Sequence, residues 1–319
     1  MKIVHGANEM RPGRKKVCLA IGFFDGVHLG HQQIIRRTVA DARQHGALAV
    51  VVTFDRHPNT VVAPDRVPPL IYSLPQKTRV IQSLGADALL QIHFDDAFSR
   101  QTGQDFIHRL ARDLGGIKSL CVGADFVFGH RRSGNVALLE KLGGELGFTV
   151  HGLAAVALDG QMVSSTRIRE AIRSGQLDGA SQMLGRPYAI AGRVATGDRV
   201  GQQLGFPTAN LDVTGLVLPP VGVYAGLTAL QDRIYPTALN IGYRPTVASA
   251  QPQLRVEAHL LDFRGDLYGG ELEVEVAERL RDEKKFASAA ELRAQIARDI
   301  AMVRRIGKGQ TTGARTPPR

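Results

Sequence analysis

The chain has no tryptophan, and only 6% of its 319 residues are aromatic. Stacking-type recognition of RNA needs basic strands interleaved with aromatic side chains. No such strand occurs, so nucleic acid is not the expected partner. Cysteine is equally scarce. Cys18 and Cys121 each lie inside an apolar strand-like run, which predicts two buried free thiols in a reducing compartment and no disulfide framework. The His-x-Gly-His at His28 and His31 has no cysteine cluster or second histidine pair to complete a zinc site. No apolar run approaches the roughly 20 residues that span a bilayer, and the N-terminus has no signal-peptide core. A soluble, cytoplasmic protein without a membrane partner is expected. The Gly-x-x-x-x-Gly-Lys-Ser/Thr and Gly-x-Gly-x-x-Gly patterns are also missing, which excludes the P-loop and the dinucleotide fingerprint.

What the chain has in excess is positive charge: 40 Lys and Arg against 30 Asp and Glu, a formal net charge of +10. That balance suits anionic partners such as nucleotides and other phosphates without choosing among them. Part of it lies in Arg11 to Lys16 and Arg304 to Arg319. At this length the chain can build two domains with separate cores.

The most informative stretch is Gly22-Phe-Phe-Asp-Gly-Val-His-Leu-Gly-His31. It follows the apolar run Val17–Ile21, which reads as a buried strand. It precedes a segment with Ile34, Ile35 and Val39 at helical spacing. Strand, glycine-rich turn and helix start, in that order, make an anion site, because the free N–H groups and the positive end of the helix dipole face the turn. Gly22, Gly26 and Gly30 let backbone approach a ligand, and His28 and His31 add side-chain donors. The stretch resembles the His-x-Gly-His nucleotidyltransferase superfamily.

The chain changes character near residue 185. Before it, apolar strand-like runs (Val17–Ile21, Ala47–Phe54, Ala88–His93, Ser119–Val122, Thr149–Ala157) alternate with helical patterns such as Gln104–Leu114 and Asn135–Leu146. This is the pattern of a Rossmann-like parallel sheet covered on both faces, whose ligand site lies beyond the carboxyl ends of the strands. After it, short strand candidates recur at Tyr188–Val194, Val223–Ala229, Thr237–Ile241, Leu254–Phe263 and the strictly alternating Glu271–Val276. They predict a compact antiparallel β-barrel. A helix carrying Leu292, Ile296, Ile300 and Val303 closes it, and that stripe reads as packing. The expected domains are 1–184 and 185–307, with a disordered tail over 308–319.

Further constellations bear on each half. His57, in Thr53-Phe-Asp-Arg-His-Pro-Asn59, ends the second strand and reads equally as a ligand or a loop residue. Asp125, in Val122-Gly-Ala-Asp-Phe-Val-Phe-Gly129, either contacts a nucleotide or caps its loop. Ser164, Ser165 and Thr166 read as an N-cap cluster opening the helix Arg167–Arg173. Hydroxyls and arginines at a helix start form a second polyphosphate site. In the second half, Gly192, Gly197, Gly201 and Gly205 allow phosphate to lie against backbone. Thr208 and Asn210 alternate, so on an extended segment they share a face and offer hard oxygen ligands to Mg²⁺. Glu257 lies on a strand, within Arg255-Val-Glu-Ala-His259.

With those segments in view the whole chain, from about residue 17 to 306, resembles the bacterial bifunctional riboflavin kinase/FMN adenylyltransferases (FAD synthetases). Phe24-Asp-Gly-Val-His-Leu-Gly-His31 and Ser164–Arg169 match the adenylyltransferase half. Gly205-Phe-Pro-Thr-Ala-Asn210, Gly222-Val-Tyr224, Asn240-Ile-Gly-Tyr-Arg-Pro-Thr246 and Val256-Glu-Ala-His259 match the kinase half. Two segments depart from the family pattern: no proline precedes His57 in Asp55-Arg56-His57-Pro58, and Val127 stands where a basic residue is common. The resemblance implies that riboflavin is phosphorylated by ATP to FMN, and FMN is then adenylylated by a second ATP to FAD with release of pyrophosphate. It implies Glu257 as the kinase base, Thr208 and Asn210 as ligands of Mg²⁺, and Gly192, Gly197, Gly201, Gly205 and Pro207 beside them at the nucleotide and flavin. It implies catalytic roles for His28 and His31. Gly22, Phe24, Asp25, Gly26, Gly30, Asp125, Ser164, Ser165, Thr166 and Arg169 would surround the ATP of the first site. Riboflavin, FMN and ATP are the expected partners, and a homo-oligomer stays open.

Overall fold

The computed structural model describes residues 1–10, 13, 15–196, 201, 205–244 and 253–311. Six strands form one sheet: β1 (Lys2–Val4), β2 (Val17–Ile21), β3 (Leu48–Phe54), β4 (Ala88–Ile92), β5 (Ile117–Gly123) and β6 (Thr149–Leu153). Their order is β1-β4-β3-β2-β5-β6, and every pairing is parallel. Every residue of β2 is buried, as a central strand covered on both faces requires. Leu19, Ile21, Val50, Val52, Leu90 and Leu120 pack on one face, and Ala20, Val51, Leu89 and Cys121 on the other. The helices Gly103–Asp113 and Val136–Leu146 start at Thr102 and Asn135, whose side chains accept from the N–H groups of Asp105 and Leu138.

The Rossmann-like expectation holds, with an added edge strand and hairpin and with the expected Thr149–Ala157 strand ending at Leu153. Edge strand β1 was not foreseen, because it is three residues long and buries only Val4, too little for a period to show. A small antiparallel hairpin, β7 (Ala157–Leu158) with β8 (Gln161–Met162), follows β6. Both cysteines are buried free thiols, and burial pushes the Cys121 thiol up to about 12.

The second unit is a closed antiparallel barrel of six strands: β9 (Ala189–Ala195), β10 (Ala209–Asp212), β11 (Gly222–Leu230), β12 (Arg233–Arg244), β13 (Gln253–Leu260) and β14 (Glu271–Arg281). The strands run β10-β13-β12-β11-β14-β9 around it. Closure removes every sheet edge. β12 is longer than the expected Thr237–Ile241. It joins β11 through Gln231 and Asp232 at φ 50° and 61°, a two-residue turn of the left-handed kind that matches strand twist. Gln-Asp is not the sequence that usually marks such a turn.

The compact units of the chain are not cut at the expected sequence position. The chain separates into compact units at Ser165/Thr166, and Ile71–Ser73 belongs with the barrel unit. The reason is burial. In the helix Leu177–Leu184, the residues Leu177, Ala180, Met183 and Leu184 are buried, and Ser181 Oγ accepts from Tyr188 N–H at the start of the barrel. Tyr72 is 2% exposed beneath the Arg186 guanidinium, 5.0 Å from its ring. The closing helix runs Ala289–Thr311, so positions 308–311 of the expected disordered tail are helical; 312–319 lie outside the described residues.

Candidate active sites

In the first unit the turn after β2 is built against ordinary backbone preference. Phe24, Gly26 and Val27 have φ of 54°, 73° and 41°, and such a conformation in a β-branched residue persists only where the surroundings impose it. Gln32 Nε2 donates to Val27 O at 2.9 Å, and Ser165 Oγ donates to Asp25 O at 3.2 Å. His28 then caps the helix Leu29–His45, and the His28 and His31 rings stack with centroids 3.6 Å apart. His28 is buried and His31 half-buried, so the pair sits in a low-dielectric setting at the N-terminus of a 17-residue helix.

The other expected ATP contacts are partly buried around this turn and partly exposed. Phe24 is 1% exposed and meets the His31 ring edge-on at 5.2 Å. A Cβ on Gly22 would lie 2.9 Å from the Phe24 ring, so that glycine makes room for Phe24. Asp25 is buried under the turn, and Gly30 lies against the His28 ring. Ser165, not Arg167, is the first residue of its helix; Ser164 is half-buried in front of it. Thr166 is exposed and Arg169 buried, and both fall in the second compact unit. Asp125 is exposed in the loop after β5. His57 is a loop residue whose Nδ1 accepts from Asn59 N–H at 3.1 Å.

Beyond the strand ends lies a cleft of about 570 Å³ lined by Phe23, Phe54, Phe94, Phe98, Phe106, Phe126 and Phe128. Neighbouring rings meet at 5.2 to 6.2 Å, mostly edge-on. The cleft was not foreseen. Its signal was in the sequence all the same: Phe23, Phe54, Phe94 and Phe126 each fall at or just after the carboxyl end of a strand. Asp55 fixes the Phe94 segment, accepting from Phe94 N–H at 3.0 Å and pairing with His93 Nδ1 at 2.7 Å. Burial pushes the Asp55 carboxyl up, but those bonds and Arg56 hold it below its ordinary value. His130, Arg131 and Arg132 stand on the cleft's rim.

In the barrel, pairing register assembles the second site. Glu257 on β13 lies opposite Asn210 on β10 and opposite Asn240 on β12, so the three form a row across adjacent strands. All three line a cavity of about 450 Å³ together with Thr208. The closing helix covers it: Arg281 on β14 holds Asp299 with a two-pronged ion pair at 2.9 to 3.1 Å, and Leu292, Ile296 and Ile300 face the cavity. The expected packing stripe therefore divides. Val303 is buried with Ala225 and Leu261, whereas the N-terminal part roofs the site.

A second cavity of about 370 Å³ shares Thr208 and is lined by Pro207, Phe263, Asp266 and Tyr268. Gly205 has φ +88° and Gly201 abuts Thr208, where a Cβ would lie 3.1 Å from Oγ1. Gly192 lines neither cavity; a Cβ there would meet Asp212 O at 2.4 Å, so it serves the close approach of β9 to β10. Gly197 lies outside the described residues. His259, passed over as a site residue, lines the first cavity and its Nδ1 is 2.7 Å from Pro207 O.

A nucleotide-type turn on a parallel sheet and a carboxylate between two amides in a closed barrel define an enzyme with two phosphate-handling domains. Comparison with known proteins agrees domain by domain: the FAD synthetase family model matches residues 11–167, and the riboflavin kinase model matches residues 184–307. The bifunctional riboflavin kinase/FMN adenylyltransferase of Escherichia coli (strain K12) is 39% identical over 301 residues, covering 94% of this chain and 96% of its own. That of Pseudomonas fluorescens is 38% identical, covering 95% and 97%. A crystal structure described as a macrolide-efflux protein from Streptococcus pneumoniae shares the fold with a TM-score of 0.78 at 28% identity, covering 95% of this chain and 99% of that one. Among the described residues no helix is long and apolar enough to cross a membrane. The chain belongs to the family of bifunctional riboflavin kinase/FMN adenylyltransferases.

Proposed function

We propose that the two activities are divided by domain, with Glu257 as the base of the kinase and the His28–His31 pair as the charge-stabilising group of the adenylyltransferase. The chain is a riboflavin kinase and FMN adenylyltransferase. In the barrel, the terminal ribityl hydroxyl of riboflavin attacks the γ-phosphate of ATP. The new O–P bond forms as the bond to ADP breaks, and Glu257 takes the hydroxyl proton. The observation that carries this reading is the Asn210–Glu257–Asn240 row: two amides flank one carboxylate inside a cavity of ligand size. Thr208 lines both barrel cavities, which suits a residue between nucleotide and acceptor.

The donor set also fits a magnesium ion. Thr208 and Asn210 supply hard oxygens, and among the described residues no cluster of three or more His, Cys, Asp or Glu offers an all-protein cage. Mg²⁺ characteristically takes one or two protein oxygens and completes its shell with phosphate and water. Thr208 and Asn210 would hold it, and it would neutralise phosphate charge there.

In the first domain the flavin ring stacks in the phenylalanine cleft. The phosphate of FMN attacks the α-phosphate of ATP, and pyrophosphate leaves. An FMN phosphate is already ionised, so the domain needs no strong base. It needs positioning and donors at the polyphosphate, which His28, His31 and the helix start provide.

Chromatography of a reaction of riboflavin, ATP and Mg²⁺ with the full chain is expected to show FMN first and FAD after it. FMN accumulating without FAD at ample ATP would reduce the first domain to a structural role. Truncation tests the division. A fragment starting at Thr166 is expected to fold and make FMN, because it keeps the Leu177–Leu184 helix and all of the barrel unit except Ile71–Ser73. One starting at Gly185 loses the buried residues Leu177, Ala180, Met183 and Leu184 and the Ser181–Tyr188 bond, at about 1.5–3 kcal/mol per large apolar side chain, and should fold less stably. Equal melting temperatures for the two fragments would show that the helix is dispensable to the barrel.

A further inference from the structure

Among the described residues, Lys77 is a buried cation at the ligand end of the sheet that adenylyl transfer as derived does not use. Lys77, on the helix Leu74–Ser83, is 4% exposed. Its Nζ donates to Phe23 O at 3.1 Å, Thr53 Oγ1 at 3.2 Å and Phe54 O at 3.2 Å. The Phe23 ring lies against it, 4.6 Å from Nζ, and Thr53 Oγ1 itself donates to Phe23 O at 2.9 Å.

We propose that Lys77 is a positioning residue for adenylyl transfer: its ammonium ties the carboxyl ends of β2 and β3 together and so sets both the Phe23 wall of the aromatic cleft and the turn that presents His28 and His31. This rests on assigning FMN adenylylation to the first domain.

Two facts distinguish the arrangement from ordinary core packing. The first is stoichiometry. An ammonium has three N–H donors, and three acceptors surround it; a neutral amine has two. Loss of the proton therefore costs at least one bond to a buried acceptor at the ligand end of the sheet. The second is location. Phe23 O belongs to the residue that lines the cleft and begins the strained turn Phe24–Val27, so a shift there moves flavin and polyphosphate contacts together. The acidic groups that face the ammonium are Asp25, from the turn, and Asp55, from the end of β3. Burial pushes the amine down to about 8, while Asp25 and Asp55 oppose that shift. The clamp is therefore charged at neutral pH and lost as pH rises through this value.

The test uses the full chain with FMN, ATP and Mg²⁺, measuring kcat and KM for FAD formation across roughly pH 6 to 10. Riboflavin phosphorylation by the same preparation serves as the internal control. In the wild type, kcat/KM for FMN adenylylation is expected to fall about tenfold per pH unit above the lysine's titration, a limb absent from the kinase reaction. Lys77→Met should lower FAD formation about 10–100-fold at neutral pH, raise KM for FMN and abolish the alkaline limb. Lys77→Arg, which stays charged, should retain more activity than Met and move the limb upward. A wild-type profile without a limb specific to adenylylation overturns the proposal. So does a Lys77→Met enzyme with unchanged kcat and KM. If Lys77→Met does not fold, the wild-type profile and the arginine variant decide. Absence of FAD formation at every pH would count against the functional reading itself.

Discussion

Glu257→Gln is expected to abolish FMN formation while leaving conversion of supplied FMN to FAD intact. The amide keeps the shape of the side chain and its place between Asn210 and Asn240, the facing positions on β10 and β12. It cannot accept the ribityl proton. Loss of a general base costs roughly 10²–10⁴-fold in rate, whereas a polar substitution at a half-buried strand position without such a role usually changes stability by no more than about 0.5 kcal/mol. The two outcomes are separated by orders of magnitude, and the second activity reports on folding in the same tube. Near-normal riboflavin phosphorylation by Glu257→Gln would remove the catalytic assignment, and equal loss of both reactions would point to misfolding.

The reciprocal result is expected at the other site. His31→Ala or His28→Ala should lower FAD formation from FMN by about 10²–10³-fold, the cost of removing one preorganised donor from developing charge, with FMN formation unaffected. The rings stack at 3.6 Å, so they act as a unit, and removing one lets the other move. The double variant should therefore fall little further than either single one. His31→Asn, which restores a donor, should recover part of the loss. Full additivity would mean that the two imidazoles act on separate groups. Unchanged FAD formation in both single variants would end their catalytic assignment.

Much of this molecule was legible in its sequence, and for identifiable reasons. The parallel sheet announced itself because its central strands are buried on both faces and so read as unbroken apolar runs, β2 and β3 above all. The barrel was legible through alternation, plainest in β14, where Leu272, Val274 and Val276 are buried. The His-x-Gly-His turn was legible because local backbone geometry makes an anion site with no help from distant residues. Thr208 and Asn210 could be placed on one face for the same local reason.

What the chain did not disclose are relations between distant segments. The Asn210–Glu257–Asn240 row exists only because β13 pairs with β10 on one side and β12 on the other in one particular register; a one-residue slip would turn Glu257 away. The phenylalanine cleft collects rings from strand, loop and helix positions as much as some 100 residues apart, each unremarkable in its own window. Lys77 carries no signal in the sequence, and only packing brings its amine to the ends of β2 and β3. Compactness belongs here too: Leu177–Leu184 has a helical pattern whichever unit it serves, and only its tertiary contacts group it with the barrel. Sequence by itself determined the elements, the two-domain class and the phosphate turn, because those follow from periodicity and short-range backbone chemistry. Tertiary structure alone decided the Asn–Glu–Asn row, the aromatic cleft and the buried ammonium, because each depends on which side chains long-range pairing brings together and shields from water.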